Sequence, residues 1–340
     1  MSDSTNERKL EHLDIIRGDA DVDRRKYYFD DVHLTHRALP ELALDAVDPS
    51  TILMGRRLSF PLLISSMTGG DHDVVCTINR NLAQAAGRTG VAMAVGSQRV
   101  MFTNPAARAS FELRDFAPDT LLCANLGAVQ FNYGFGIDEC REALAVLGAD
   151  ALYLHLNPLQ EAVQPEGDTD FRDLADRIGS IAAELDRPII LKEVGAGISP
   201  ADVRAIVGRG VRYIDVAGAG GTSWSRIENH RNKDDSMGLT FQDWGIPTPK
   251  ALRQLSEFRD QITLIASGGI RNGVDMAKAV VLGASLCGLA SPFLEAATRS
   301  ADDVVAIIER LRREFTTAMF LLGAASIDKL CANNDLLMPE

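Results

Sequence analysis

Several common chemistries find no footing in this 340-residue sequence. Its cysteines, Cys76, Cys123, Cys140, Cys287 and Cys331, are scattered, with no C-x-x-C pair and no histidine at zinc-ligand spacing. That excludes a zinc ribbon or a disulfide framework and suits small buried hydrophobes in a reduced compartment. No run of like charge is long enough for a nucleic-acid arm; the net charge is −12 and the 24% of charged residues interleave both signs. A polyanionic partner is therefore disfavoured, although a small anion held by local cations is not, because distant carboxylates are screened over about 8 Å. No apolar run approaches the ~20 residues of a membrane span, and MSDSTNERKLEH lacks the apolar core of an export signal. A cytoplasmic location is expected. The hydrolase motifs G-x-S-x-G and H-E-x-x-H are missing, and Arg17-Gly18-Asp19 reads as a chance tripeptide.

What the chain does have is an alternation. From residue 60 onward, short apolar runs recur at Leu62–Ser66, Val91–Val95, Leu121–Asn125, Ala151–Leu156, Ile189–Glu193, Tyr213–Ala217, Thr263–Ser267 and Ser285–Ala290. Amphipathic or Ala-rich stretches separate them, among them Ile137–Leu147, Phe171–Leu185, Pro200–Val207, Pro247–Phe258 and Gly273–Leu282. The joints LGADALYL, RGVRYIDV and LGASLCGL each place a glycine where a helix ends before a buried strand begins. Near-continuously apolar strands need cover on both faces, which means a parallel sheet with helices outside. Eight such units predict an α/β fold closed into a (β/α)8 TIM barrel. Residues 1–60 read as an N-terminal arm and barrel-bottom cover with a turn at Gly55, and 61–340 as the barrel, one structural domain overall.

In such barrels the chemistry sits at the C-terminal ends of the strands. Ser267-Gly268-Gly269-Ile270-Arg271-Asn272-Gly273 follows the seventh strand and precedes a helix, so its backbone N–H groups and the helix N-terminus suit a phosphate. Ala290-Ser291-Pro292 follows the eighth strand and forms the other half of that site. Lys192 ends the apolar strand Pro-Ile-Ile-Leu-Lys, where a lysine needs a charge partner or a depressed pKa. It reads as an anion-holding cation, a Schiff-base nucleophile or a rim lysine. His155, Asn157, Gln160 and Glu161 crowd the fourth strand exit, where Glu161 offers a hard oxygen to Mg2+. By composition alone Arg8 and Lys9 are solvated tail charges, and Trp224 could equally be core. The glycines of Gly218-Ala219-Gly220-Gly221 lack a surrounding Rossmann unit, so NAD(P) is not the resident cofactor.

These pieces resemble a known family. Arg8-Lys9-Leu10-Glu11-His12, Met67-Thr68-Gly69-Gly70, Gly96-Ser97-Gln98-Arg99, HLNPLQEAVQPEGD from His155, LKEVGAGIS from Leu191, GAGGTSW from Gly218 and SGGIRNG from Ser267 occur in order over nearly the whole chain. The chain thus resembles type 2 isopentenyl diphosphate isomerase, an FMN-dependent barrel enzyme that interconverts isopentenyl and dimethylallyl diphosphate. The resemblance implies that Met67, Thr68, Gly69, Ser97, Asn125, Lys192 and Thr222 contact FMN, with Gly269, Ile270, Arg271, Ala290 and Ser291 around its phosphate. It implies Arg8, Lys9, Ser97, Gln98, Arg99 and Gln160 on the substrate side, Gln160 and His155 as catalytic residues, and Glu161 on Mg2+. It further implies that NADPH serves only to reduce the flavin and that the isomerisation is redox-neutral. Ala196 departs from the pattern, which carries a bulkier apolar residue there. The competing readings are another FMN barrel such as a 2-hydroxy-acid oxidase, a Schiff-base aldolase using Lys192, and a non-catalytic sensor of phosphorylated ligands. A homo-oligomer is expected, with no nucleic-acid or membrane partner.

Overall fold

The computed structural model describes residues 4–24, 26, 28–232 and 236–339, with side chains from Leu10 onward. A two-stranded hairpin, β1 (Thr51–Leu53) and β2 (Arg56–Leu58), comes first. The barrel strands follow as β3 (Leu62–Ile64), β4 (Ala92–Ala94), β5 (Leu122–Gly127), β6 (Ala151–His155), β7 (Ile189–Lys192), β8 (Tyr213–Asp215), β9 (Thr263–Ser267) and β10 (Ala284–Leu289). They form one closed parallel barrel in chain order, with β10 returning to pair with β3. Each coincides with one of the predicted apolar runs. β3 and β5 are buried along their whole length, as strands covered on both faces must be.

Two of the predicted glycine joints are real helix ends, Gly148 and Gly283, with φ of 63° and 103°, whereas at the third the helix already ends at Ile206 and Gly210, with φ of 89°, shapes the turn beyond it. Outer helices include Asp73–Thr89, Ile137–Leu147, Leu174–Glu184, Gly273–Val281 and Ser291–Arg299. Between β4 and β5 the regular helix is replaced by short pieces, Val100–Thr103 and Pro105–Phe111. The long helix Ala301–Leu321 was not among the predicted stretches. It buries Val304, Ile308, Leu311, Phe315 and Met319 at helical spacing, and Ser300 caps its start by accepting from the Asp303 amide at 3.1 Å.

The hairpin closes the end of the barrel opposite the strand C-termini. Met54 and Gly55 both have positive φ, 50° and 76°, which a tight hairpin turn requires. That turn directs Leu53 and Leu58 into the interior layer formed by Leu63, Leu121, Tyr153, Ile265 and Leu286. Arg56 pins the hairpin through a 2.7 Å bond to Asp150, the residue just before β6.

The N-terminal segment is more ordered than its polar composition predicts. Residues Ser4–Gly18 form a helix, and Leu10, Leu13 and Ile16 recur every third position to give it an apolar stripe. A strap from Asp19 to Asp31 then crosses the strand C-termini. Arg24 holds it there by donating to the carbonyls of Gly221 at 3.2 Å, Trp244 at 3.3 Å, Gly195 at 2.5 Å and Thr222 at 3.2 Å. Among the described residues no helix is long and apolar enough to cross a membrane.

Candidate active site

A cavity of about 540 Å³ opens at the C-terminal ends of the strands, under the N-terminal helix and strap. Its size falls in the range of small-molecule and cofactor sites, roughly 300–1,000 Å³. Along one side it is built from backbone. Gly268 and Gly269 have φ of 94° and 75°, and a Cβ on Gly268 would stand 2.1 Å from the Gly218 carbonyl oxygen. Only glycine lets these loops pass so closely. Thr248 donates to the Gly268 carbonyl at 2.7 Å and locks the turn.

One sequence expectation about this side is corrected. The helix starting at Gly273 does not offer its N-terminus to a ligand, because protein acceptors already take its first donors: Glu314 accepts from the Gly273 amide at 2.8 Å and Asn272 from the Asp275 amide at 2.9 Å. Arg271 lines the cavity but is bound to Asp275 at 2.7 Å and Asp30 at 2.6 Å, which raises its already high pKa. The helix start that faces the cavity is that of Ser291–Arg299, whose N-cap, Ala290, has no capping side chain.

The floor is polar and buried. Lys192 is a register partner of both His155 and Asp215, and its Nζ donates to the Glu193 carbonyl at 2.5 Å. Burial pushes its pKa down, and the charges of Asp215 and Glu193 oppose that shift. Asp215, fully buried, accepts from Ser267 Oγ at 2.6 Å and Tyr153 Oη at 3.2 Å; burial raises its carboxyl. Glu193 is likewise raised by burial, although its carboxylate accepts from the backbone N–H groups of Val194, Gly195 and Ala196. Gly245 packs directly on the Ala196 backbone, where a Cβ on Gly245 would stand 2.7 Å from the Ala196 Cα. Ser65 Oγ and Thr68 Oγ1, both in cavity-lining residues, are buried with no partner, the signature of groups built to meet a ligand.

The opposite side is built from side chains. His155 Nδ1 lies 2.8 Å from Asn125 Oδ1, while Asn125 Nδ2 donates to Ser66 Oγ at 2.8 Å and Val95 O at 3.0 Å. The amide oxygen can only accept, so the imidazole proton sits on Nδ1. Asn157 Nδ2 donates to Glu161 at 2.7 Å and to Gln160 Oε1 at 3.3 Å, leaving Asn157 Oδ1 buried without a partner. Gln160 Nε2 in turn donates to Glu228 at 2.8 Å. Glu228 is fully buried; burial alone would raise its carboxyl, but hydrogen bonds from His12, Gln160 and Arg231 hold it down at about 2.

The structure therefore gathers Met67, Thr68, Ser97, Asn125, Lys192, Thr222, Gly269, Ile270, Arg271, Ala290, Ser291, Arg99, His155, Gln160 and Glu161 around one cavity. Gly69 stands back from it against Phe111, whose ring a Cβ would strike. Gln98 also turns away: it is fully buried, donates to Ala143 O at 2.9 Å and accepts from the Asn125 amide at 3.0 Å, so it braces β5. The side chains of Arg8 and Lys9 lie outside the described residues. Sequence reading assigned no role to His12, Arg24 or Glu228. His12 packs edge-on to Trp224 with ring centroids 5.2 Å apart and lines the cavity with it. Glu228 follows Trp224 by one helical turn, the one signal that could have marked it.

Known proteins resemble this arrangement at two levels. The model of the FMN-dependent dehydrogenase family matches residues 155–337. The isopentenyl-diphosphate delta-isomerase of Paracoccus zeaxanthinifaciens is 57% identical over 336 residues, 97% of this chain and 96% of that protein. That of Hydrogenovibrio crunogenus is 52% identical over the full length of both. Among solved structures, a flavocytochrome b2 mutant superposes with a TM-score of 0.69 at 20% identity, covering 94% of this chain and 80% of that one. A mandelate oxidase mutant follows at a TM-score of 0.59, also at 20% identity, covering 88% and 86% of the two chains. At that identity the shared property is the fold.

Proposed function

This chain belongs to the isopentenyl-diphosphate delta-isomerase family, within the FMN-dependent barrels, and from that premise we propose that it shifts the double bond of isopentenyl diphosphate at a reduced FMN. In this reading Mg2+ engages the diphosphate and NADPH primes the flavin. The observation that carries it is one cavity joining a glycine cradle to the carboxamide and carboxylate cluster after β6.

The residues present fit both groups. The unpaired Ser65 and Thr68 hydroxyls and the close Gly218–Gly268 approach suit a flat, hydrogen-bonding cofactor with a phosphate. Glu161 beside the unpartnered Asn157 Oδ1 offers oxygens to Mg2+, which takes one or two protein oxygens and completes its shell with water and phosphate.

Moving a double bond removes a proton at one carbon and delivers one at another. Reduced FMN, when bound, supplies the acid–base group for that exchange. The chain's own residues do the rest. Met67, Thr68, Ser97, Asn125, Lys192 and Thr222 hold the ring, with Lys192 adding positive charge; Gly269, Ile270, Arg271, Ala290 and Ser291 surround the phosphate. Arg8, Lys9, Ser97 and Arg99 hold the substrate diphosphate, and Glu161 its metal. Gln160, fixed between Asn157 and Glu228, orients the reacting carbons, and His155, fixed by Asn125, stands beside them. His12, Leu13 and Trp224 line the cavity, where they would shield a bound substrate from water.

The test is stoichiometric. With FMN bound under nitrogen, about one NADPH per flavin bleaches the cofactor, and dimethylallyl diphosphate then accumulates in large excess over NADPH oxidised. Consumption of one NADPH per product contradicts the reading.

A further inference from the structure

The run His155–Asp168 holds a second device. Asp168 does not line the cavity, yet it ties together loops that follow three successive strands. Its Oδ2 accepts from Arg99 Nη1, after β4, at 2.6 Å and from Gln130 Nε2, after β5, at 2.9 Å. Its backbone N–H donates to Glu161 Oε2, after β6, at 2.7 Å. Arg99, Gln130 and Glu161 all face the cavity.

The tight return of the chain that brings Asp168 back to Glu161 depends on Gly167, where a Cβ would stand 1.8 Å from the Glu161 carbonyl oxygen. Gln164 secures the same turn by donating to Glu161 Oε2 at 3.4 Å and accepting from the Gly167 amide at 3.1 Å. Beyond it, Asn132 Nδ2 anchors the loop through the carbonyls of Asp170 at 2.7 Å and Arg172 at 2.9 Å.

An arginine loses rotamer freedom when a ligand immobilises it. A carboxylate that has already fixed one edge of the guanidinium removes part of that cost and leaves the other edge for an anion. We propose that Asp168 is a positioning residue that presets Arg99 and Glu161 as one unit, coupling metal binding to capture of the diphosphate. This rests on the reading of Glu161 as the metal ligand and Arg99 as a diphosphate cation.

The test is calorimetric titration of isopentenyl diphosphate into the oxidised, FMN-loaded enzyme, with and without Mg2+, so that no turnover intervenes. Asp168→Ala is expected to weaken substrate binding about tenfold with Mg2+ present and about threefold without it, while FMN retention and the melting temperature stay near wild type. A merely structural loss would lower both affinities alike, and equal factors overturn the proposal. In a Glu161→Gln background the further effect of Asp168→Ala is expected to shrink to about threefold; a full tenfold loss there overturns the coupling. If Asp168→Ala does not fold, Asp168→Asn keeps the acceptor and drops the charge, with an expected loss of about threefold in Mg2+; wild-type affinity in it overturns the proposal. Should Glu161→Gln shift the Mg2+ dependence while no Asp168 variant does, the metal reading stands and the Asp168 proposal falls. An unshifted Glu161→Gln removes both.

Discussion

The two sides of the cavity reach polarity by different means. The rim after β9 and β10 is made from backbone, with glycines at positive φ pressed against the Gly218–Gly221 loop. The rim after β6 is made from side chains, a chain of carboxamides and carboxylates running from Asn157 to Gln160 to Glu228. A backbone cradle has one shape, and a substitution there deforms it. A side-chain network can lose one member and keep its outline. Cofactor holding is therefore expected to fail together with the fold, and substrate chemistry separately from it.

The strongest way to break that contrast is Gly268→Ala. Its Cβ meets the Gly218 carbonyl oxygen, so we expect the protein to lose FMN on gel filtration and roughly 3 kcal/mol or more of stability in a urea titration. Retained flavin with wild-type stability would dissolve the distinction. Across the cavity, Gln160→Ala should keep its flavin spectrum and melting temperature while kcat drops about a hundredfold, the scale of a misplaced proton transfer. A variant that loses FMN instead would place Gln160 in the cradle.

Smaller effects sharpen the picture. Thr68→Val removes a buried hydroxyl that has no partner in the protein. Equilibrium dialysis should show FMN bound about tenfold more weakly, whereas the FMN-free protein gains on the order of 1 kcal/mol. Opposite signs are the point, and a loss in both would mean the hydroxyl serves the fold. For Glu228, the folded carboxyl sits at about 2 against an ordinary value of 4.5, so its stabilising contribution is present above pH 4.5 and is lost as pH falls toward 2. Glu228→Gln should flatten that part of the acid unfolding curve. Curves that superimpose over this interval would show that Glu228 is not held as a carboxylate.

The same contrast explains what could be read in the chain. All eight barrel strands were legible because each is a short apolar run set between longer helical stretches, and β5, buried end to end, was read from its length and apolar continuity, since it shows no alternation. The glycine rim was legible because the close approach of Gly268 to Gly218 leaves no room for a Cβ. The side-chain network was legible only where it sits in one contiguous run, His155 to Glu161. Glu228 and His12 come from segments about 70 and 140 residues away, and nothing local announces that a helix of polar sequence folds back over the barrel mouth. The helix at Gly273 misled for a related reason: its phosphate-binding promise depended on free amides, and Glu314, forty-one residues later, had already taken one.

In the proposed reaction this cavity exchanges a proton with the substrate's double bond once its flavin is reduced. Anaerobic NMR of isopentenyl diphosphate in D2O, with FMN, NADPH and Mg2+, tests it most directly. Deuterium should enter both substrate and dimethylallyl product only after the flavin is bleached, with no net change in its redox state. A fully reduced flavin beside an unchanged substrate spectrum would contradict the account.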